Sequence, residues 1–190
     1  MRVTETTLPG VLVIDPEAAC DERGEFFESW SAARYEAAGV RGAFVQDNVS
    51  RSRAGVLRGL HLQHPHGQAK LVSALEGAVF DVAVDVRVGS PAFGRWVGVE
   101  LSAENRRQLF IPEGFAHGFL VLSERATFGY KSSDYYARTS ELSIRWDDAA
   151  LAIKWPAKPK LVSPKDATAP RLAEVPRERL PAYPQANAEP

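Results

Sequence analysis

Residues 78–87 read AVFDVAVDVR, and the fold class turns on their alternation. Phe80, Val82, Val84 and Val86 share one face of an extended chain, while Asp81, Ala83, Asp85 and Arg87 share the other. Period-two alternation in a β-branched run predicts a half-buried strand. Working outward, shorter runs predict strands at Val11–Asp15, Phe44–Ser50, Gly55–Gln63, Gln68–Leu75, Arg95–Leu101, Arg107–Ile111, Gly118–Leu122, Ala126–Lys131 and Ser143–Trp146. Turn residues separate them: His64-Pro65-His66-Gly67, Glu76-Gly77, Gly89-Ser90-Pro91 and Pro112-Glu113-Gly114. Ser31 to Ala38 (SAARYEAA) reads as a short helix, with Ser31 as its cap and Gly39 as its stop. From Trp155 to Pro190, eight of 36 residues are proline, so this tail is expected to be irregular and to wrap the body. Many short strands, frequent turns and no internal repeat predict an all-β sandwich or barrel. The expected organisation is one domain over residues 1–190, with a core at about 8–155 and the tail at 156–190.

Length and charge narrow the function. A chain of 190 residues, 45% of them hydrophobic, is long enough to bury about 70% of its unfolded surface in one core. The 23 basic and 24 acidic residues leave a net charge of −1, which provides no general field for a polyanion and argues against nucleic-acid coating. No apolar run approaches the roughly 20 residues of a membrane-spanning helix. The first residues, MRVTETTLPGVLVID, lack the apolar centre of a signal peptide, and Cys20 has no disulfide partner in the chain. Cys20 reads as an ordinary reduced thiol. A soluble cytoplasmic protein without membrane or nucleic-acid partners is expected.

The four histidines fall in two places. In residues 55–77, GVLRGLHLQHPHGQAKLVSALEG, a glycine precedes His61 by six positions and Lys70 precedes Gly77 by seven. Residues 112–117 read PEGFAH. Together the two stretches resemble, in order, the two motifs of the cupin jelly rolls. The positions at which that family carries metal ligands hold His61, Gln63, Lys70 and His117 here. Only the two histidines are good ligands, and an ammonium occupies the place of the anionic one, so no metal is expected. His64 and His66 sit in a turn, where a solvated role is the simpler reading. The alternative is metal-free polar chemistry inside the barrel, because Arg58, His61, Gln63 and Lys70 crowd thirteen residues of strand-like sequence where a structural core would prefer aliphatics. One difficulty is geometric: Arg58 and His61 are three positions apart, and a regular strand sends them to opposite faces. Gly59 is a natural site for a bulge that turns both inward.

Over about Leu8 to Asp166 the chain resembles the dTDP-4-dehydrorhamnose 3,5-epimerases, a metal-free branch of the cupins. The resemblance rests on DERGEFFES (21–29), FVQDNVSRS (44–52), GVLRGLH (55–61), QAKLV (68–72), VFDVAVDVR (79–87), GSPAFGRWVGVELSAENRRQL (89–109), IPEGFAHGFLVLSE (111–124), YKSSDYY (130–136) and SPKD (163–166). Leu62 and the HPHGQ turn depart from the family pattern, at none of the catalytic positions. The resemblance implies a cupin-like jelly roll that inverts both carbons flanking the ketone of a nucleotide-linked 4-keto-6-deoxyhexose, without a cofactor. It implies His61 as base, Asp166 as the carboxylate orienting it, Lys70 at the enolate oxygen and Tyr130 as the acid on the other face. By the same resemblance Arg23, Glu28, Gln46, Asn48, Arg58, His117, Tyr136, Glu141 and Lys165 contact the nucleotide sugar, and the protein is a homodimer with strands exchanged near its N-terminus. Without the family, Tyr130 reads as a core aromatic and Asp166 as a surface turn acid. Competing readings are a single-site epimerase or ketoisomerase for another deoxysugar, a metal-dependent cupin oxygenase, and a silent nucleotide-sugar binding protein.

Overall fold

The computed structural model describes residues 1–184; residues 185–190, the end of the expected wrapping tail, lie outside the described residues. In chain order the strands begin with β1 (Arg2–Glu5), β2 (Leu12–Asp15), β3 (Ala18–Asp21), β4 (Gly24–Phe27), β5 (Gln46–Arg53), β6 (Val56–Gln63) and β7 (Lys70–Glu76). They continue as β8 (Ala78–Asp85), β9 (Trp96–Ser102), β10 (Gln108–Ile111), β11 (Phe115–Val121), β12 (Arg125–Ser132), β13 (Glu141–Ser143) and β14 (Leu161–Val162). Helix α1 (Ala32–Ala37) follows β4, and α2 (Pro164–Ala167) follows β14. One sheet runs β1-β2-β10-β7-β12-β5; the other runs β13-β6-β11-β8-β9, with β14 added in parallel beside β6. The two sheets face each other as a cupin-like jelly roll. The strands β3 and β4 form a separate hairpin.

Three apolar layers hold the sheets. Between them lie Val72, Leu109 and Phe128 from the first sheet and Val79, Leu101 and Phe119 from the second. Outside the first sheet, Tyr35 of α1 packs on Ile14, Leu71 and Phe110. Outside the second, Val82, Val84 and Val86 meet Ile144, Leu151, Leu172, Val175 and Leu180.

That third layer corrects the reading of residues 78–87. The strand is buried on both faces, with Asp81 and Asp85 as inaccessible as Val82 and Val84. The valines point outward and are covered by the tail, while the aspartate face points between the sheets. Burying each valine is worth about 1.5–3 kcal/mol, which is what binds the tail to the sheet. The tail is also pinned by its backbone: Val88 N–H donates to Pro181 O at 2.8 Å, and Tyr183 N–H to Val88 O at 2.9 Å. Between them, the Arg87 guanidinium lies over the rings of Phe115 and Tyr183 and pairs with Asp85. The described part of the tail thus packs along the outside of the second sheet.

Other departures are local. Strand β11 starts at Phe115 rather than Gly118, directly after the Pro112-Glu113-Gly114 turn, so His117 lies within the strand. All of β11 is buried, which erases the alternation that would have revealed it. The helix forms where expected, but the Ser31 side chain makes no capping bond. The strands β1, β3, β4 and β14 have no clear signal in the sequence; each has at most four residues and is largely exposed.

Candidate active site

A cavity of about 450 Å³ opens between the sheets, and strands from both sheets supply its polar lining. His61 and Arg58 come from β6, and His117 from β11 beside it. Lys70, at the start of β7, and Tyr130, on β12, face them from the opposite sheet. Asp166 enters from α2.

The expected bulge is present. His61 pairs with His117 and Arg58 with Phe119, so three steps along β6 match two along β11. The extra residue rotates Arg58 to the face that carries His61. Gly59 permits it: its φ is +137°, and a Cβ there would lie 2.5 Å from the Cα of Gly118.

Asp166 Oδ1 lies 2.7 Å from Nε2 of His61. Its Oδ2 accepts the Gly59 N–H at 3.2 Å, and its own N–H donates to Ser163 Oγ at 3.1 Å. Burial opposes ionisation of Asp166. The His61 hydrogen bond and charge, the Gly59 N–H and Ser163 outweigh it, so the carboxyl stays below its ordinary value. Among the described residues nothing bonds His61 Nδ1, which leaves that nitrogen for proton transfer.

Burial pushes the Lys70 ammonium down to about 8, while Asp81 and Glu141 pull it back up. It remains mostly protonated at neutral pH. Burial pushes the Tyr130 phenol up; Arg58 lowers it and Glu141 adds to the rise. His117 is pushed down by burial against the pull of Asp81, whose Oδ2 lies 2.9 Å from its Nε2. Asp81 is a site residue that sequence reasoning missed, although it lies within the alternating stretch.

At the mouth, Glu141 joins two neighbours: its Oε1 lies 2.6 Å from Lys165 Nζ, and its Oε2 accepts from Tyr136 Oη at 3.2 Å. Gln46 Nε2 donates to Asn48 Oδ1 at 2.9 Å, and Gln46 Oε1 accepts the Tyr136 N–H at 3.0 Å. These residues form one polar run beside the cavity.

In a single chain three of the candidate residues stand apart from the cavity lining. Arg23 is bound to Asp21 of its own exposed hairpin, and Glu28 is paired with Arg34; neither lines the cavity. Gln63 is engaged by loops, donating to His66 O and Tyr135 O and accepting from Ala137 N–H. Among the described residues, no three His, Cys, Asp or Glu side chains gather as a metal set.

The arrangement sets a carboxylate-bound imidazole opposite an ammonium and a phenol across one cavity. Those are the parts needed to remove a proton next to a carbonyl and return one from the other side. The family model described as dTDP-4-dehydrorhamnose 3,5-epimerase matches residues 5–174. The dTDP-4-dehydrorhamnose 3,5-epimerase of Salmonella typhimurium (strain LT2) is 55% identical over 176 residues, covering 90% of this chain and 96% of that protein. Its counterpart in Shigella flexneri is 51% identical, covering 92% of this chain and 97% of the relative. A solved dTDP-6-deoxy-D-glucose-3,5-epimerase from Legionella pneumophila Philadelphia 1, in complex with dTDP-4-keto-L-rhamnose, superimposes with a TM-score of 0.94. It is 54% identical and covers 97% of this chain and 99% of its own.

Proposed function

The chain belongs to the dTDP-4-dehydrorhamnose 3,5-epimerase family, and on that basis we propose a division of labour among the cavity residues. The protein is an isomerase that epimerises dTDP-4-dehydro-6-deoxy-D-glucose at carbons 3 and 5 to dTDP-4-dehydro-L-rhamnose. His61 removes the proton next to the ketone, and Asp166 stabilises the imidazolium that forms. The electron pair moves onto the carbonyl oxygen, where the Lys70 ammonium strengthens its hydrogen bond as charge develops. Tyr130 delivers a proton to the opposite face. His61 then loses its proton and Tyr130 regains one, which resets the site for the second carbon. The observation that carries this reading is the 2.7 Å His61–Asp166 contact in a cavity that Lys70 and Tyr130 face from the other sheet.

Arg58, exposed at the cavity, suits the diphosphate, which a guanidinium fork binds well. Gln46, Asn48, Tyr136, Glu141 and Lys165 would hold the nucleoside end, and His117 the sugar end. We also propose a homodimer. Val49 and Leu75 are 61% and 57% exposed on the outer face of the first sheet, beyond the area that α1 covers. A second copy on that face would bury them and give Arg23 and Glu28 a route to a cavity that they do not reach in their own chain. The free, exposed thiol of Cys20 fits a reducing cytoplasm. Strands from both halves of the sequence enclose one cavity, which supports a single functional domain.

Proton NMR in heavy water with dTDP-4-dehydro-6-deoxy-D-glucose tests the reaction. Deuterium should enter at both carbons flanking the ketone, and His61→Ala should abolish this. Wild-type protein that exchanges neither proton would overturn the assignment.

A further inference from the structure

Three buried carboxylates have no part in the proposed mechanism: Asp85 is held by Arg87 and Ser90, Asp148 accepts the Ala150 and Leu172 N–H groups, and Asp81 faces the cavity histidine His117. Asp81 is fully inaccessible, on the face of β8 turned between the sheets. Both of its oxygens approach the same donor, Nε2 of His117, at 2.9 and 3.1 Å. Among the described residues it accepts no other hydrogen bond. A buried carboxylate held only for packing normally collects several donors, because its desolvation is otherwise uncompensated. This one is short of donors, so much of its charge stays free to act on its surroundings.

The charged and titratable groups at that end of the cavity are Lys70 from β7, His61 and Arg58 from β6, His117 from β11 and Tyr130 from β12; Glu141 lies on β13, and Asp166 and Lys165 come from α2. Of the two carboxylates that favour the Lys70 ammonium, Glu141 also pairs with Lys165, while Asp81 is the stronger influence and has no Lys or Arg partner among the described residues.

Resting on the enolate reading above, we propose that Asp81 is a positioning residue with two effects. It holds the Nε2 proton of a neutral His117, so that Nδ1 presents a lone pair to the cavity, and it keeps Lys70 cationic when the ketone oxygen needs a donor. His117 is then an acceptor for a sugar hydroxyl or for the ammonium itself, a different role from that of the base His61.

The test is the pH dependence of Asp81→Asn, an isosteric change that removes the charge. Loss of the anion should move the alkaline limb of the rate profile about one unit lower. It should also reduce kcat roughly fivefold at pH 8 and change KM much less. Asp81→Glu should return part of the alkaline limb. A wild-type profile in Asp81→Asn would overturn the proposal. Nitrogen-15 NMR of the unmodified protein is a second test, which does not depend on the variant folding. At pH 7, His117 should carry its proton on Nε2 alone, and an Nδ1 proton or a cationic ring would overturn the proposal. Failure of the enolate reading itself looks different, since the wild-type enzyme would then exchange neither substrate proton.

Discussion

Asp166 Oδ1 and His61 Nε2 lie 2.7 Å apart although 105 residues separate them in sequence. The imidazole is fixed on a bulged sheet strand, while the carboxylate arrives on a helix of four residues in an irregular tail. That tail is held by the apolar layer under Leu172, Val175 and Leu180. Packing on the outside of the second sheet therefore determines whether the base inside it is oriented.

Replacing Asp166 with Asn keeps the shape and removes the charge that stabilises the imidazolium. The exchange rate should fall by about 100-fold or more, with KM changed much less. The same pair contributes to stability. The folded carboxyl lies below its ordinary value of 3.8, so its contribution is fully present above that pH. It is lost as pH falls from there through the folded value. Wild type and Asp166→Asn should thus differ in melting temperature at pH 7 and converge in strong acid.

Lys70 sets the alkaline limit. Its ammonium is held at about 8 against an ordinary 10.5, so the rate should decline above pH 8. The stability effect has the opposite sign to that of Asp166. An unfolded lysine binds its proton more tightly than the folded one, so the charged form destabilises the fold fully below pH 8. That cost is relieved as pH rises toward 10.5, and it amounts to on the order of 3 kcal/mol. Lys70→Met should be inactive yet melt at a higher temperature than wild type at pH 6.5, as differential scanning calorimetry would show.

Tyr130→Phe separates the two halves of the reaction. Proton removal by His61 should survive, so deuterium should still wash into substrate by NMR. Inversion should fall at least tenfold, because the opposite face has lost its proton donor. Loss of exchange and inversion together would assign Tyr130 to an earlier step.

Ser163 links the tail to the base through one hydrogen bond, accepting the Asp166 N–H. Ser163→Ala should cost about 1 kcal/mol of stability and lower kcat with little change in KM. Restoration by Ser163→Thr would attribute the loss to the hydroxyl.

If a second copy covers the outer face of the first sheet, Leu75→Glu should yield monomers in sedimentation velocity. Activity should fall with the loss of the dimer. An unchanged dimer would place the contact elsewhere.

Some of this is legible from local pattern. Alternation in residues 78–87 marks a strand, proline density marks an irregular tail, and Gly59 between Arg58 and His61 marks a bulge, because each rests on backbone geometry of a few neighbouring residues. The roles of Asp166 and Tyr130 come only with the family resemblance, since an acid in a turn and an aromatic on a strand have commoner uses. Asp81 stays hidden because its strand is buried on both faces, and alternation alone does not say which face meets the cavity.

By itself, then, the sequence determined the longer strands, the turns between them and the chemical types available, all of which follow from short-range sterics and side-chain period. Only the tertiary structure decided which groups meet. It committed Gln63 to loops, kept Arg23 and Glu28 out of their own chain's cavity, and brought Asp166 to His61. The physical reason is that a charge inside a protein is governed by whichever neighbours the fold brings within a few ångströms, and those neighbours are set by packing between distant segments rather than by adjacency along the chain.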